Sequence, residues 1–294
     1  MNISWFENMR KLIALSILFA VIFTGCATQT PTQIAATALP VYEFTAALCE
    51  GTGITVSRLV TENVSCLHDY SVQVSQMRAI ESAEAVVING AGLEESLEDI
   101  LSGAACIIDA SKNIDLSCGD HHENDEHHHE HDPHIWLSPE KAEEMCRTIA
   151  SNLITLYPQH ADVFSANLTV LLEKLDALQA YGEKELSDLS YRNLITFHDG
   201  FSYFAESFDL HILKAVEEEA GSEASAKELI ELIGLVKDNH LPVIFTETNG
   251  STAAAEIIAK ETGVKVYALD MAMAGDSYFE AMYRNIDTVR EALE

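Results

Sequence analysis

Histidine is the residue type to follow in this chain. Twelve are present, and seven of them fall between residues 121 and 134. Neutral imidazole binds borderline metal ions such as zinc, copper, nickel and iron. Residues 119–132 read GDHHENDEHHHEHD, with no apolar side chain among them. Such a stretch can bury nothing, so it reads as a solvated, mobile loop. Its histidines, His121, His122, His127, His128, His129 and His131, offer many weak, exchangeable positions for auxiliary metal capture.

His134 is of another kind. It sits in DPHIWLSP, residues 132–139, where the chain turns apolar again. Pro133 restrains the backbone before it, and Ser138-Pro139 reads as an N-cap and first-turn proline of the next helix. A histidine held between two such restraints is pre-organised as a ligand should be. His68, in CLHDY, falls between a strand pattern and a helix pattern. His198, in ITFHDG, ends a strand pattern, and Asp270 ends another. In open α/β sheets, ligands bind at the carboxyl ends of the strands. Three histidines and one carboxylate, His68, His134, His198 and Asp270, suit a tetrahedral zinc site. Asp69 and Asp199 each follow one of these histidines; backbone direction favours turning them away as helix caps over bonding an imidazole. Glu247 ends a further strand and reads equally as an inter-lobe salt bridge or a metal-side group. His160, His211 and His240 read as surface or partly buried residues, and Trp136 and Tyr278 as core.

The elements that must hold these residues alternate. Strand patterns occupy 34–39, 54–60, 85–89, 105–109, 193–197, 211–216, 242–246 and 265–269. Helical periodicity runs through 71–82, 140–156, 225–238 and 253–262. Strand–helix alternation predicts α/β architecture with parallel sheets flanked by helices. Four strands fall before residue 110 and four after 190, which predicts two lobes. Between them, residues 160–188 repeat apolar side chains near the 3.6 period, from Val163 to Leu178. They predict one long rigid helix joining the lobes; the competing reading breaks it into two at Gly182. The expected organisation is a signal peptide at 1–25, a lipidated tether at 26–37, an N-terminal lobe at 38–158, a linking helix at 159–188 and a C-terminal lobe at 189–294.

The signal reading rests on Arg10 and Lys11, followed by an unbroken apolar run over residues 12–23. Twelve helical residues span about 18 Å, against a bilayer core of about 30 Å. The run is therefore too short to cross and reads as a secretory signal. Thr24 and Gly25 before Cys26 resemble a bacterial lipoprotein processing site, which makes Cys26 the lipid-bearing first residue of the mature chain. Met9 begins a more typical signal than Met1. The mature protein is then expected outside the cytoplasm, attached to the membrane by that lipid. Five cysteines remain, Cys49, Cys66, Cys106, Cys118 and Cys146, in a compartment that permits disulfides. The count is odd, so at least one is free or pairs between chains.

Taken together, the motifs resemble the metal-binding lipoproteins of bacterial ABC importers that take up zinc, manganese and iron. The pieces that carry the resemblance are HDY at His68, DPHIWLSP at His134, TFHDGFSYF at His198, and ALDMAMAGDSYFEAMYRNID at Asp270. VINGAGLE at 87–94, FTE at 245–247 and SAKEL at 225–229 support it. The resemblance covers nearly all of 34–294. It implies two lobes joined by one rigid helix, a metal held between them by His68, His134, His198 and Asp270, and a membrane permease as partner. Relatives that favour manganese resemble this pattern with Glu at the position of His198. A third nitrogen and no second carboxylate suit Zn2+ over Mn2+. Leu67 stands where such proteins usually carry proline, and residues 221–224 lack the proline often found there.

Charge narrows the partners. Lys and Arg number 17 against 47 Asp and Glu, a formal net charge of −30. Nucleic-acid binding needs a basic face, so it is excluded, as is docking on anionic lipid through charge. The sequence carries no HExxH helix, no GxSxG elbow and no paired carboxylates near the ligands, so a secreted zinc hydrolase is set aside. The reading is a monomeric, non-enzymatic zinc-binding protein that hands its ion to a membrane permease; its rivals are manganese transport and a surface adhesin or metal buffer on the same fold.

Overall fold

The computed structural model describes residues 33–62, 64, 67, 70–116, 132–217 and 224–294. The expected signal segment, Cys26, Cys66, His68, Asp69, Cys118 and the six tract histidines lie outside the described residues. Among those described, no helix is long and apolar enough to cross a membrane.

Two four-stranded parallel sheets form. The first contains β1 (Ile34–Ala36), β2 (Val56–Arg58), β3 (Ala85–Ile88) and β4 (Ile107–Asp109) in the order β2-β1-β3-β4. The second contains β5 (Asn193–His198), β6 (His211–Glu217), β7 (Val243–Glu247) and β8 (Lys265–Leu269) in the order β6-β5-β7-β8. Parallel neighbours need crossovers, and helices supply them. These are α1 (Leu39–Cys49), α2 (Val74–Ser82), α3 (Glu98–Leu101), α4 (Pro139–Leu156), α5 (Ala161–Glu185), α6 (Ser202–Ser207), α7 (Ala226–Asp238), α8 (Ala253–Thr262) and α9 (Tyr278–Leu293). All eight strand patterns read from the sequence become strands.

Two expectations shift at the first strand. The tether was expected to run to residue 37, but β1 lies between β2 and β3 with all three residues fully buried. The small, apolar Ile34-Ala35-Ala36 fits a covered central strand better than a solvated leash. The strand itself was expected to reach Leu39. It stops at Ala36, because Pro40 sits in the first turn of α1, where its missing N–H is not required.

The long helix is α5. It has 25 residues, about 37 Å at 1.5 Å per residue. It is shorter than the 159–188 span because a separate 3₁₀ turn, Pro158–His160, precedes it and Leu186 closes it. It buries Phe164, Leu171, Leu175, Leu178 and Gly182, and packs against α1, α4 and α9. Gly182 does not break the helix. A Cβ there would lie 2.2 Å from Cε1 of Phe208, so glycine is what lets the second lobe press its phenylalanine onto the helix.

The strand pleat sorts the core. Alternate residues of β5 face opposite ways. Ile195 and Phe197 join Leu232, Val236, Ile244 and Ile258 in a cluster beneath α7 and α8. Leu194 faces the other way, into a larger cluster that unites Phe44, Trp136 and Leu175 with Phe204, Phe245, Met271 and Tyr278. His198 shares the Leu194 side of the pleat and therefore faces the first lobe.

Of the cysteines described, Cys49, Cys106 and Cys146 are all unbonded. Burial pushes the Cys49 thiol up to about 12 and raises that of Cys146, so neither is a nucleophile at neutral pH.

Candidate metal centre

His134 is built by its own short segment. The Asp132 carboxylate accepts the His134 backbone N–H at 2.9 Å and lies 2.7 Å from its Nδ1. The 3₁₀ turn Ile135–Leu137 follows, fully buried, and the Ser138 side chain caps α4 by accepting from Lys141 N. Both ends of the loop are thus fixed, as the two prolines indicate. His134 is only 2 % exposed.

His198 ends β5 and is equally buried. Its neighbour strand is β7, whose last residue is Glu247. Phe245 faces the large inter-lobe cluster, so Glu247, two residues on, faces the same way. Its Oε1 stands 3.1 Å from His198 Nδ1. Each imidazole therefore has a buried carboxylate at Nδ1, which favours the tautomer with its proton there.

That tautomer leaves both Nε2 lone pairs unprotonated, and they converge. His134 Nε2 and His198 Nε2 lie 3.3 Å apart, with the rings crossed at 87°. Two lone pairs at that distance repel unless a shared proton or a metal cation sits between them. Two nitrogens bound tetrahedrally to one zinc at about 2.0–2.1 Å stand roughly 3.3–3.4 Å apart. Gly200 leaves the room required. A Cβ there would fall 2.7 Å from His198 Cδ2 and 3.0 Å from His134 Cε1.

Asp270 is engaged elsewhere. Its Oδ2 accepts from Arg284 Nη2 at 2.9 Å and its Oδ1 from Ala272 N at 2.8 Å. Asn285 brackets its backbone, accepting from Asp270 N and donating to Asp270 O. Among the described residues, no group of three or more His, Cys, Asp or Glu side chains is arranged to hold a metal. The structure thus joins His134 to His198 and gives Asp270 other partners, while His68 lies outside the described residues.

The expected core residues are core. Trp136 donates from Nε1 to Met271 O at 2.7 Å, and Tyr278 donates from its hydroxyl to Trp136 O at 2.8 Å. His160 is half-buried and His211 and His240 are exposed. Asp199 is exposed, but the N-cap position of α6 falls to Phe201. Asp132 does not stand out in the sequence as the partner of His134. Its signal was present: an acid two residues before a histidine, across a proline.

Fold and site together define a class: a two-lobed α/β solute-binding protein whose lobes meet at a buried histidine pair of metal-binding type. The family described as zinc-uptake complex component A, periplasmic, matches residues 34–292, and the chain belongs to it. The zinc-binding protein AdcA of Streptococcus pyogenes serotype M3 is 29% identical over 316 residues, which cover 96% of this chain. The chain spans 61% of that longer protein. The crystal structure of ZnuA is similar with a TM-score of 0.78 at 31% identity, covering 90% of this chain and 100% of that one. The Zn(II)-bound ZnuA-like domain of Streptococcus pneumoniae AdcA follows with a TM-score of 0.75 at 27% identity, over 88% of this chain and 98% of that one.

Proposed function

We propose that this protein captures zinc outside the cytoplasm, between its two lobes, and delivers it to an ABC-type membrane permease. The observation that carries the reading is the pair of Nε2 atoms 3.3 Å apart, each ring backed at Nδ1 by a buried carboxylate. The family, named for a component of an uptake complex, supports the delivery step. In this reading His68, His134 and His198 are the ligands. Asp270, held by Arg284 and Ala272 N–H, contributes charge from outside the first shell, and a water completes the tetrahedron. Three nitrogens with no coordinating carboxylate suit zinc better than the harder manganese ion. Asp132 and Glu247 fix how the imidazoles are turned, so little reorganisation is needed when the ion arrives. A lipid on Cys26 keeps the monomer near its permease, and the His-rich tract 119–132 raises the local supply of metal without being the tight site.

The test is metal competition on the intact chain and on a chain lacking residues 119–132. One zinc should bind tightly to both and resist excess manganese. Nanomolar affinity corresponds to about −12 kcal/mol, so each of the three protein donors accounts for about 4 kcal/mol, roughly 1,000-fold. His134→Ala and His198→Ala should each weaken binding by about that factor. Asp270→Asn should cost less than about 10-fold, as expected of a group outside the first shell. Zinc binding that vanishes with residues 119–132 would place the tight site in the tract and leave a metal-buffering surface protein.

A further inference from the structure

The turn that follows β3 touches the chain just ahead of two of the three histidine segments. Asn89 Nδ2 donates to Pro133 O at 2.9 Å, and Pro133 is the residue before His134. Ser96 Oγ donates to Leu67 O at 2.7 Å, and Leu67 is the residue before His68. In both cases the bonded carbonyl belongs to the peptide that leads into the histidine. Fixing that peptide plane leaves φ and the side-chain torsions as the remaining freedom of the ligand.

The turn itself is braced from inside. The carboxylate of Glu94 is buried, 4 % exposed, and accepts three donors. Asn89 N and Thr37 Oγ1 reach Oε1 at 2.8 and 2.6 Å, and Gly90 N reaches Oε2 at 3.0 Å. Gly90 adopts φ +81°, and a Cβ there would sit 1.9 Å from Asp109 Oδ1. Ser111 Oγ accepts from Ala91 N at 3.0 Å and so ties the turn to the end of β4. Asn89 is 1 % exposed; its Nδ2 bonds both Gly90 O and Pro133 O, while Oδ1 has no partner among the described residues. A buried amide that uses only its donor end is placed there for the carbonyls it holds.

We propose that residues 89–97 form a positioning platform for the first lobe's metal ligands: Asn89 sets the peptide before His134, Ser96 sets the peptide before His68, and Glu94 shapes the turn that carries both. None of the three touches the metal. The inference rests on the zinc site proposed above. It differs from a general stabilising role, because both bonds end on ligand-bearing peptides rather than on helix or sheet interior.

The experiment measures zinc affinity by chelator competition on the full chain, the ligand-field spectrum of bound Co2+, and the melting temperature of the metal-free protein. Ser96 is exposed, so Ser96→Ala should fold normally. It should weaken zinc about 10-fold, alter the Co2+ bands and leave the metal-free melting temperature unchanged, and Ser96→Thr should restore the affinity and the bands. Asn89→Ala should weaken zinc by about 10–100-fold. In a His134→Ala background the same Asn89→Ala change should cost zinc affinity little more, because the ligand it positions is gone. Wild-type affinity and wild-type Co2+ bands in both Ser96→Ala and Asn89→Ala, even with a lowered melting temperature, would overturn the platform while leaving the zinc site intact. Failure of the wild-type chain itself to bind zinc tightly would overturn the site, and the platform with it.

Discussion

Glu94 and Glu247 are both buried carboxylates, yet their settings differ. Glu247 stands beside an imidazole that can share a proton, whereas Glu94 faces backbone N–H groups, a hydroxyl and the nearby charge of Asp109. Burial pushes Glu94 up from 4.5 to about 7; the three donors oppose the shift and Asp109 adds to it. The folded protein therefore holds this proton more tightly than the unfolded chain does. The resulting stability is fully present below about pH 4.5 and is lost as pH rises through about 7. That difference corresponds to about 3 kcal/mol across the window. Urea unfolding of wild type and Glu94→Gln from pH 4 to 8 should show the wild type losing ground to the variant as pH rises, then a constant difference above about pH 8. A constant difference throughout would mean that Glu94 ionises normally. At this scale the two paired histidines were legible and their carboxylate partners were not. His134 announced itself through its flanking prolines and His198 through its strand end. Glu247 could be paired with His198 only once β7 was known to lie beside β5. Asp270 reads as a ligand in sequence because nothing there tells that Arg284, fourteen residues on along α9, takes its carboxylate.

Elements were the most legible level. Short apolar, β-branched runs such as AVVI and VIFTE in β3 and β7 bury almost every residue, and such runs have few other uses. The start of α1 was harder, because Leu39 continues the apolar run of β1 and only Pro40 marks the change. Gly182 was ambiguous for a different reason: its cause lies on another element. Helix propensity alone favours alanine there by about 1 kcal/mol. Against that, the new methyl would meet Phe208 at 2.2 and 2.6 Å, with the ring 4 % exposed and no room to retreat. Overpacking of this kind costs about 1–3 kcal/mol. The clash therefore sets the sign, and Gly182→Ala should lower the unfolding free energy by up to about 2 kcal/mol, the difference between these terms. Adding Phe208→Leu to Gly182→Ala should recover part of the loss, since the smaller side chain vacates the contact. A stabilised Gly182→Ala would show that the ring moves aside freely and that propensity governs the site.

The two lobes are joined by more than the long helix. After β8 the chain runs through residues 271–278 across the face of the first lobe. Met271 O accepts from Trp136 Nε1, Met273 O from Leu39 N, and Gly275 O from Arg58 Nη1. The Glu43 carboxylate of α1 accepts from Tyr278 N at 2.6 Å and lies 3.2 Å from Ser277 Oγ, so a first-lobe acid caps α9. The large buried cluster runs through both lobes without a break. A cleft that closed by hinge motion would have to break these bonds and expose that cluster, at a cost comparable to the whole stability of a domain. Binding one ion at two nitrogens already 3.3 Å apart needs no such motion. Small-angle scattering curves of the metal-free and zinc-loaded protein should therefore superimpose. Calorimetry should give one unfolding transition in each state, moved to higher temperature by zinc through mass action. A contraction on binding zinc, or two separate transitions in the metal-free protein, would show that the lobes are independent bodies. Delivery of the ion would then follow from lobe opening, and not from local displacement of the histidine segments.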